Sequence, residues 1–343
     1  MIKKTQIVVS SLERKTSGKL ALDEIKTIAD KKGVQVNLIK WLSYGNFIVE
    51  IECTFKEFSK LCEDAVFIRH IFPICVFEED VNILGNLDSI LDMYDFDISK
   101  TVRVQGFSVL DSKVVKKSEI AISILDKLKA RGIETDDKNG EVAVSFLLVG
   151  KNVYVGVSNT EDNLSSWTLG RVRLKRDDEQ ISRASFKLEE CFIEFGITRK
   201  FKKAVDLGAS PGGWTKVLAD RGTLVYAVDP AKLDTRLKKY TNIKFFNMLS
   251  QEFVSKTSET FDLIVNDMKM DAIKSAEIMG QLQHLLEDDG YGIITLKLPE
   301  KKQKGKIIDA LRELNKYYDV VKVKQLYHNR EEVTVLFKKS SLE

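Results

Sequence analysis

Four charged side chains stand where chemistry could be done. Asp267 and Lys297 each close an apolar run that reads as a strand, ETFDLIVNDM and YGIITLKLP, and Glu332 lies at the start of another, EEVTVLFK. Lys187 interrupts a helical pattern, ISRASFKLEECFIEF, in which Ala184, Leu188, Cys191, Phe192 and Phe195 recur at three- and four-residue steps as a buried face. If the strands of Asp267 and Lys297 run parallel and that of Glu332 runs against them, all three charges reach one edge of a sheet. That is the edge where ligands bind in open α/β folds. Two amines and two carboxylates gathered there could orient a hydroxyl group and handle its proton. Taken singly, the three strand-end charges are ordinary solvated groups and Lys187 is a snorkelling side chain; only their convergence makes a site.

A second stretch supplies what those charges would sit beside. Residues 204–230, AVDLGASPGGWTKVLADRGTLVYAVDP, read as strand, glycine-rich loop, helix and strand. Gly208, Gly212 and Gly213 leave the backbone open to a ligand, Ser210 and Pro211 lie between them, and Asp206 and Asp229 end the two apolar runs. An acid in the position of Asp229 can take two ribose hydroxyls, so the loop reads as a nucleoside cofactor site. The spacing is not G-x-G-x-x-G, and no Lys-Ser/Thr pair follows the glycines as a phosphate loop requires. S-adenosyl-L-methionine, which has no pyrophosphate, fits better, and Asp267 could face its methionine end. An ordinary strand-to-helix turn is the plain alternative. Trp214, next after the glycines, could stack on an adenine or fill the core.

The elements that must position these residues follow from pattern and composition. At 343 residues and 43% hydrophobic content the chain should be a soluble protein of two or three domains. The net charge is only +3, but residues 1–100 hold 13 basic against 16 acidic side chains, which leaves 41 against 35 afterwards. Affinity for a polyanion is therefore expected in the later part. No run of 18 apolar residues appears and the N-terminus lacks a signal-peptide pattern, so a cytoplasmic protein without membrane attachment is expected. Cys53, Cys62, Cys75 and Cys191 show no C-x-x-C spacing and His70, His284 and His328 are scattered, which argues for buried free thiols and against a metal site.

Residues 1–95 read as βαββαβ, the order of a ferredoxin-like module: strands at 5–10, 34–41, 46–53 and 66–78, helices at 19–32 and 55–64, a hairpin turn at Ser43–Asn46, and an acidic connector over 79–99. Residues 96–165 read as strand, helix, strand, strand. With the closing VYVGV they resemble the later part of a THUMP domain, an RNA-binding module attached to RNA-modifying enzymes. A small α/β domain that only packs on its neighbour is the alternative. Residues 166–180 form a basic linker, WTLGRVRLKRDD, where strand alternation would line up Arg171, Arg173 and Lys175 for a phosphate backbone, with Arg176 adding to the run. Lys113, Lys116 and Lys117, and the KKQKGK run at 301–306, are weighed in the same way against solvated faces. Residues 181–343 then form a Rossmann-like α/β domain, with Ser182 a candidate helix cap, a helix over 272–290 and an antiparallel hairpin at the end. His328 and Arg330 in that hairpin turn, and Arg183, are candidate RNA contacts, or simply exposed.

These motifs have a known counterpart. SRAxxKLE, DLGASPGGW, NDM, LKLP and REEV, spread over about 180–340, resemble the FtsJ/RrmJ-type ribose 2′-O-methyltransferases, and the tail QLYHNREEVTV is most similar to the THUMP-containing RlmM-type enzymes of 23S rRNA. The resemblance implies an α/β, Rossmann-like seven-stranded methyltransferase sheet behind ferredoxin-like and THUMP-like α+β domains. It implies transfer of a methyl group from S-adenosyl-L-methionine to a ribose 2′-hydroxyl of RNA by a tetrad that falls on Lys187, Asp267, Lys297 and Glu332, with no metal. The sequence departs from the family at Ser210, which replaces an alanine, at Lys269, which replaces a proline after NDM, and after the third strand. There no adenine-contacting acid is evident and Asn247 is the nearest polar residue.

Chemically, an ordinary lysine is neutral about once in 2,500 molecules at pH 7, a deficit of about 4.6 kcal/mol, so a basic Lys297 would need its pKa lowered by Lys187 and by burial. Asp267 and Glu332 oppose that shift. Lys297 as general base and Lys297 as a charged group that only orients the hydroxyl both stay open. Two other classes do as well: an inactive RNA-binding protein with a methyltransferase-like domain, and a nicotinamide-dependent oxidoreductase, since Asp229 lies 21 residues beyond Gly208.

Overall fold

The computed structural model describes residues 4–78, 83–110, 115–175 and 179–340. The chain divides into two units, Met1–Val172 and Arg173–Glu343.

In the first unit, β1 (Thr5–Ser10), β2 (Val36–Trp41), β3 (Asn46–Ile51) and β4 (His70–Pro73) form an antiparallel sheet in the order β2-β3-β1-β4. Helix α1 (Lys15–Asp30) follows β1, and α2 (Phe55–Leu61) opens on a capping box in which Thr54 and Glu57 satisfy each other's backbone donors. The single strand expected at 66–78 is two. After Pro73 the chain changes sheets, and β5 (Val76–Glu78) pairs with β8 instead. The second sheet has the order β5-β8-β7-β6, from β6 (Val102–Leu110), β7 (Val142–Val149) and β8 (Asn152–Asn159), with α4 (Lys117–Ala130) between β6 and β7. Gly156 of β8 permits the crossing, because a Cβ there would stand 1.7 Å from the Pro73 carbonyl oxygen.

The acidic connector is largely a helix, α3 (Ile83–Asp92), while Glu79 and Asp80 lie outside the described residues. Leu87, Ile90 and Leu91 recur at helical spacing and bury in the core that α4 shares with the second sheet. A separate core of Val8, Leu42, Ile48, Phe72, Leu147, Tyr154 and Leu169 joins the two sheets.

The second unit is a seven-stranded sheet in the order β11-β10-β9-β12-β13-β15-β14. Its strands are β9 (Lys203–Leu207), β10 (Leu224–Val228), β11 (Ile243–Phe246), β12 (Phe261–Asn266), β13 (Leu286–Lys297), β14 (Tyr318–Lys324) and β15 (Glu332–Lys339). The first five run parallel and β15 runs antiparallel to both neighbours. Its helices are α5 (Ser185–Glu194), α6 (Gly213–Asp220), α7 (Ser250–Lys256), α8 (Ala272–Gln281) and α9 (Gln303–Leu314). Helix α8 stops at Gln281 rather than running to Gly290, and the EDDG segment begins β13. The expected seven-stranded Rossmann-like sheet is thus present.

The basic run does not form a strand. Residues 168–170 make a 3-10 turn and 171–175 follow with no ladder, so Arg171, Arg173 and Lys175 share no strand face. Val172 is buried, Arg173 and Lys175 are exposed, and the Arg171 guanidinium lies 3.8 Å from the Phe107 ring centroid. Arg176 and Lys113 lie outside the described residues. Of the cysteines only Cys62 and Cys191 are buried, and Cys75 is exposed.

Candidate active site

Parallel strands β12 and β13 finish at one edge of the sheet, and antiparallel β15 starts there. Lys297, the last residue of β13, pairs in register with Glu332, the first of β15. Asp267 follows β12 directly, and Lys187 projects from the first turn of α5. The four side chains meet. Lys297 Nζ donates to Asp267 Oδ1 at 2.5 Å and to Glu332 Oε2 at 2.6 Å. Lys187 Nζ lies 3.2 Å from both oxygens of Asp267 and in ionic contact with Glu332 Oε1 at 2.5 Å. The result is a ring of alternating charge in which each amine touches both acids.

Thr295 completes this ring and was not foreseen. It precedes Lys297 by two residues on the same strand face; its hydroxyl donates to Asp267 Oδ1 at 2.5 Å and accepts from Lys297 Nζ at 2.8 Å. As a hydroxyl two residues before a predicted catalytic lysine in an apolar strand, it could have been found by period-two reasoning.

Burial is the largest single influence on Lys297 and pushes its pKa down. The charges of Asp267 and Glu332 and the hydrogen bonds they accept together outweigh it, and the amine sits above the ordinary lysine value. Lys187 therefore does not neutralise Lys297: the charges of the two acids and the hydrogen bonds they accept win.

Glu190, one helical turn beyond Lys187, holds the ring together from behind. It is 1% exposed and accepts from the backbone N–H of Tyr327 at 2.5 Å, from that of His328 at 2.8 Å, and from His328 Nδ1 at 2.7 Å. The helix that carries Lys187 is so tied to the turn that leads to Glu332. His328 is correspondingly fixed by Glu190 and only partly exposed, its ring centroid 5.1 Å from that of Phe186. Arg330 and Arg183 are exposed, as an RNA contact requires.

The glycine loop lies at the same edge. Met268, next to Asp267, covers Gly208, where φ is +71° and a Cβ would stand 2.3 Å from the Met268 side chain. Gly212, at φ +110°, and Gly213 leave room for Leu237 and for the Ser182 hydroxyl in the same way. These glycines therefore admit side chains of the protein itself. Ser182 does not cap α5 through its hydroxyl. Its carbonyl accepts from the backbone and hydroxyl of Ser185, and the helix starts one turn later than expected.

The loop's remaining candidates are organised around Asp229. Its carboxylate accepts from the Ser210 N–H at 3.0 Å and the Ala231 N–H at 2.6 Å, while Ser210 Oγ donates to the Lys232 carbonyl and the Ser210–Pro211 peptide is cis. Asn247 donates to the Asp229 and Pro230 carbonyls at 3.3 and 2.8 Å, so its amide nitrogen braces the strand end. Asp206 is fully buried and accepts from Thr215 Oγ1 at 2.6 Å. Burial pushes its carboxyl up to about 7 against the Thr215 hydrogen bond, and the charges of Asp267 and Asp229 add to the shift. Trp214 lies in the core. It is 3% exposed, packs in the core with Leu188, Val217 and Leu218, and donates Nε1 to the Ala184 carbonyl at 2.8 Å.

The donor set can be compared with the cofactor it would hold. Carboxylates at the ends of β9, β10 and β12 beside a glycine loop suit a ligand that carries a sulfonium and an ammonium group, and a pyrophosphate would meet negative charge instead. Among the described residues no group of three His, Cys, Asp or Glu could hold a metal ion, and no helix is long and apolar enough to cross a membrane.

Residues 180–324 match the FtsJ-like methyltransferase family. The ribosomal RNA large subunit methyltransferase M of Haemophilus influenzae (strain PittGG) is 30% identical over 301 residues, 79% of this chain and 81% of that one. Its namesake in Shewanella denitrificans is 28% identical over 295 residues, 79% of this chain and 78% of that one. The TrmN structure from Thermus thermophilus aligns with 98% of the chain at 14% identity and a TM-score of 0.41, a likeness too loose to argue from.

Proposed function

The chain belongs to the ribosomal RNA large subunit methyltransferase M family, and from that membership we propose that it moves the methyl group of S-adenosylmethionine to a ribose 2′-hydroxyl in large-subunit (23S) ribosomal RNA. The observation that carries this reading is the closed ring of Lys187, Asp267, Lys297 and Glu332 beside the glycine loop. The acids of the loop, Asp229 above all, are suited to the ribose of the cofactor, and Asp267 to its cationic end. Such a substrate implies a cytoplasmic protein.

When bound, the cofactor supplies an electrophilic methyl whose carbon–sulfur bond breaks with the electron pair left on sulfur. The protein's part is to hold the attacking oxygen in line. A Lys297 held above its ordinary pKa is a poor base, which favours the reading in which it stays charged and donates to one lone pair of the 2′-oxygen, so that another points at the methyl. The hydroxyl proton, released as the oxygen–carbon bond forms, passes to a carboxylate of the ring and on to water. Asp267 and Glu332 hold both amines in place, and Lys187 balances the second negative charge.

The test is transfer of label from methyl-tritiated S-adenosylmethionine to deproteinised 23S RNA, followed by alkaline hydrolysis. A 2′-O-methyl ribose blocks cleavage, so the label should appear in an alkali-resistant dinucleotide and vanish with Lys297→Ala. Label on a base, or equal labelling by that variant, would overturn the reading.

A further inference from the structure

His328 stands beside the ring of charges without belonging to it. Lys187 and Glu190 are three residues apart on α5, which puts them on successive turns of neighbouring faces, about 4.5 Å apart along the axis. Lys187 reaches Glu332, and Glu190 reaches His328, four residues earlier in the turn that leads into β15. The imidazole therefore borders the edge that carries the ring. Its side chain is 14% exposed, with exposed Tyr327 before it and exposed Arg330 two residues after it.

The chemistry of this imidazole is set from behind. Glu190 is buried and its carboxylate accepts from two backbone N–H groups of the turn, so it has only acceptor oxygens to offer the ring. Nδ1, at 2.7 Å, must then carry a hydrogen and donate it. In the neutral ring that leaves the lone pair on Nε2, the nitrogen not bonded to Glu190. Phe186, 5.1 Å away between ring centroids, and Tyr327, at 5.0 Å, hold the ring in place. An acceptor so fixed loses little freedom when a donor arrives.

RNA offers such a donor along its whole length. A phosphate has only acceptor oxygens and would meet Nε2 and two carboxylates at this spot, Glu190 in contact with the ring and Glu189 close enough for His328 to act on it. A ribose 2′-hydroxyl can donate. Base amino groups donate too, but an edge that takes one ribose is reached first by the sugars that flank it on the same backbone. Resting on the reading that RNA is the substrate, we propose that His328 Nε2 accepts a hydrogen bond from the 2′-hydroxyl of a nucleotide adjoining the one that is methylated. Deoxyribose lacks this donor, so the contact selects RNA beyond the reacting sugar.

The test is a cycle between protein and nucleic acid. Affinities of the full chain for a fluorescein-labelled single strand of 23S RNA sequence, and for the DNA strand of the same sequence, are read by anisotropy for the parent, His328→Phe and His328→Gln. Phenylalanine keeps a ring and loses the acceptor; glutamine restores an acceptor as its amide oxygen. The preference for RNA should fall roughly fivefold in the phenylalanine variant, the worth of one hydrogen bond, and return in large part with glutamine. Affinity for S-adenosylmethionine, measured by calorimetry, should stay the same. Once the methylated nucleotide is mapped, a single 2′-deoxy substitution at one of its two neighbours should raise the parent's KM about fivefold with kcat kept, and leave that of His328→Phe unaltered. An RNA preference equal in parent and phenylalanine variant, or a loss that is the same for RNA and DNA, overturns the proposal; the second result would place a base or a phosphate at the ring. If the parent methylates no RNA, the catalytic reading falls and the binding cycle still decides this one.

Discussion

Lys297 and Glu332 face each other as a register pair across antiparallel β13 and β15, with Nζ 2.6 Å from Oε2. The amine ending one strand is thereby joined to the acid beginning the next. Glu332→Gln removes one of the two charges that hold the amine above its ordinary pKa, so its titration should move to lower pH. The sign for stability follows. A folded pKa above the unfolded one gives stabilisation that is complete below about 10.4 and is lost as pH rises from there through the folded value. Nitrogen-15 NMR of the lysine side chains checks the shift, and an unmoved Lys297 titration would contradict the pairing.

Thr295→Val keeps shape and removes the hydroxyl that bonds both Asp267 and Lys297. Loss of such a bond costs about 1 to 2 kcal/mol, which corresponds to roughly a tenfold fall in kcat. Thr295→Ser should restore most of the rate. An unaffected rate in the valine variant would show that Thr295 does not position the ring.

Glu190→Ala should harm the site without touching the cofactor. It removes the buried carboxylate that accepts from the part-buried Tyr327 and His328 donors, a cost of about 2 kcal/mol. Chemical denaturation should report that loss. Residual folded protein should bind S-adenosylmethionine normally, as measured by calorimetry, yet turn over slowly because Lys187 and Glu332 lose their common anchor.

Trp214→Phe separates packing from cofactor stacking. With the indole buried and bonded to Ala184, the variant should lose about 1 kcal/mol of stability and keep its affinity for S-adenosylmethionine. A large fall in affinity with stability intact would return Trp214 to the adenine site.

Asp206 predicts a pH dependence of its own. Its folded carboxyl titrates at about 7 and an unfolded one near 3.9, so the folded chain holds the extra proton between those values. Stability contributed by this group therefore falls as pH rises from about 4 to 7 and levels off above. Asp206→Asn should remove that slope, seen as a Tm advantage over the parent that grows across the same window.

Much of the second unit was legible because its strands are apolar runs that end in charge. Alternation of strand and helix implied a parallel sheet, and the short turn before EEVTVLFK implied the reversal that brings Glu332 back to the edge. Patterns local to one element carried less information about partners. Trp214 could be placed beside a ligand or in the core by sequence alone, and only the Ala184 carbonyl and the packed helices decide for the core. The arginine run looked like a strand because arginine and valine alternate, yet it lacks a neighbouring strand to pair with, and an unpaired ladder is not stable by itself. The acid-rich stretch before residue 95 masked the helical spacing of Leu87, Ile90 and Leu91. Glu190 was hidden by Lys187, one turn before it.

The change of sheets at Pro73 binds the two halves of the first unit to a single fate. One short segment contributes an edge strand to each, with only Ile74 and Cys75 between them, so a truncation that deletes the first sheet cuts within two residues of β5. Either sheet grafted elsewhere without the other would expose backbone donors and invite aggregation. Inheritance and engineering alike must move the pair as one piece.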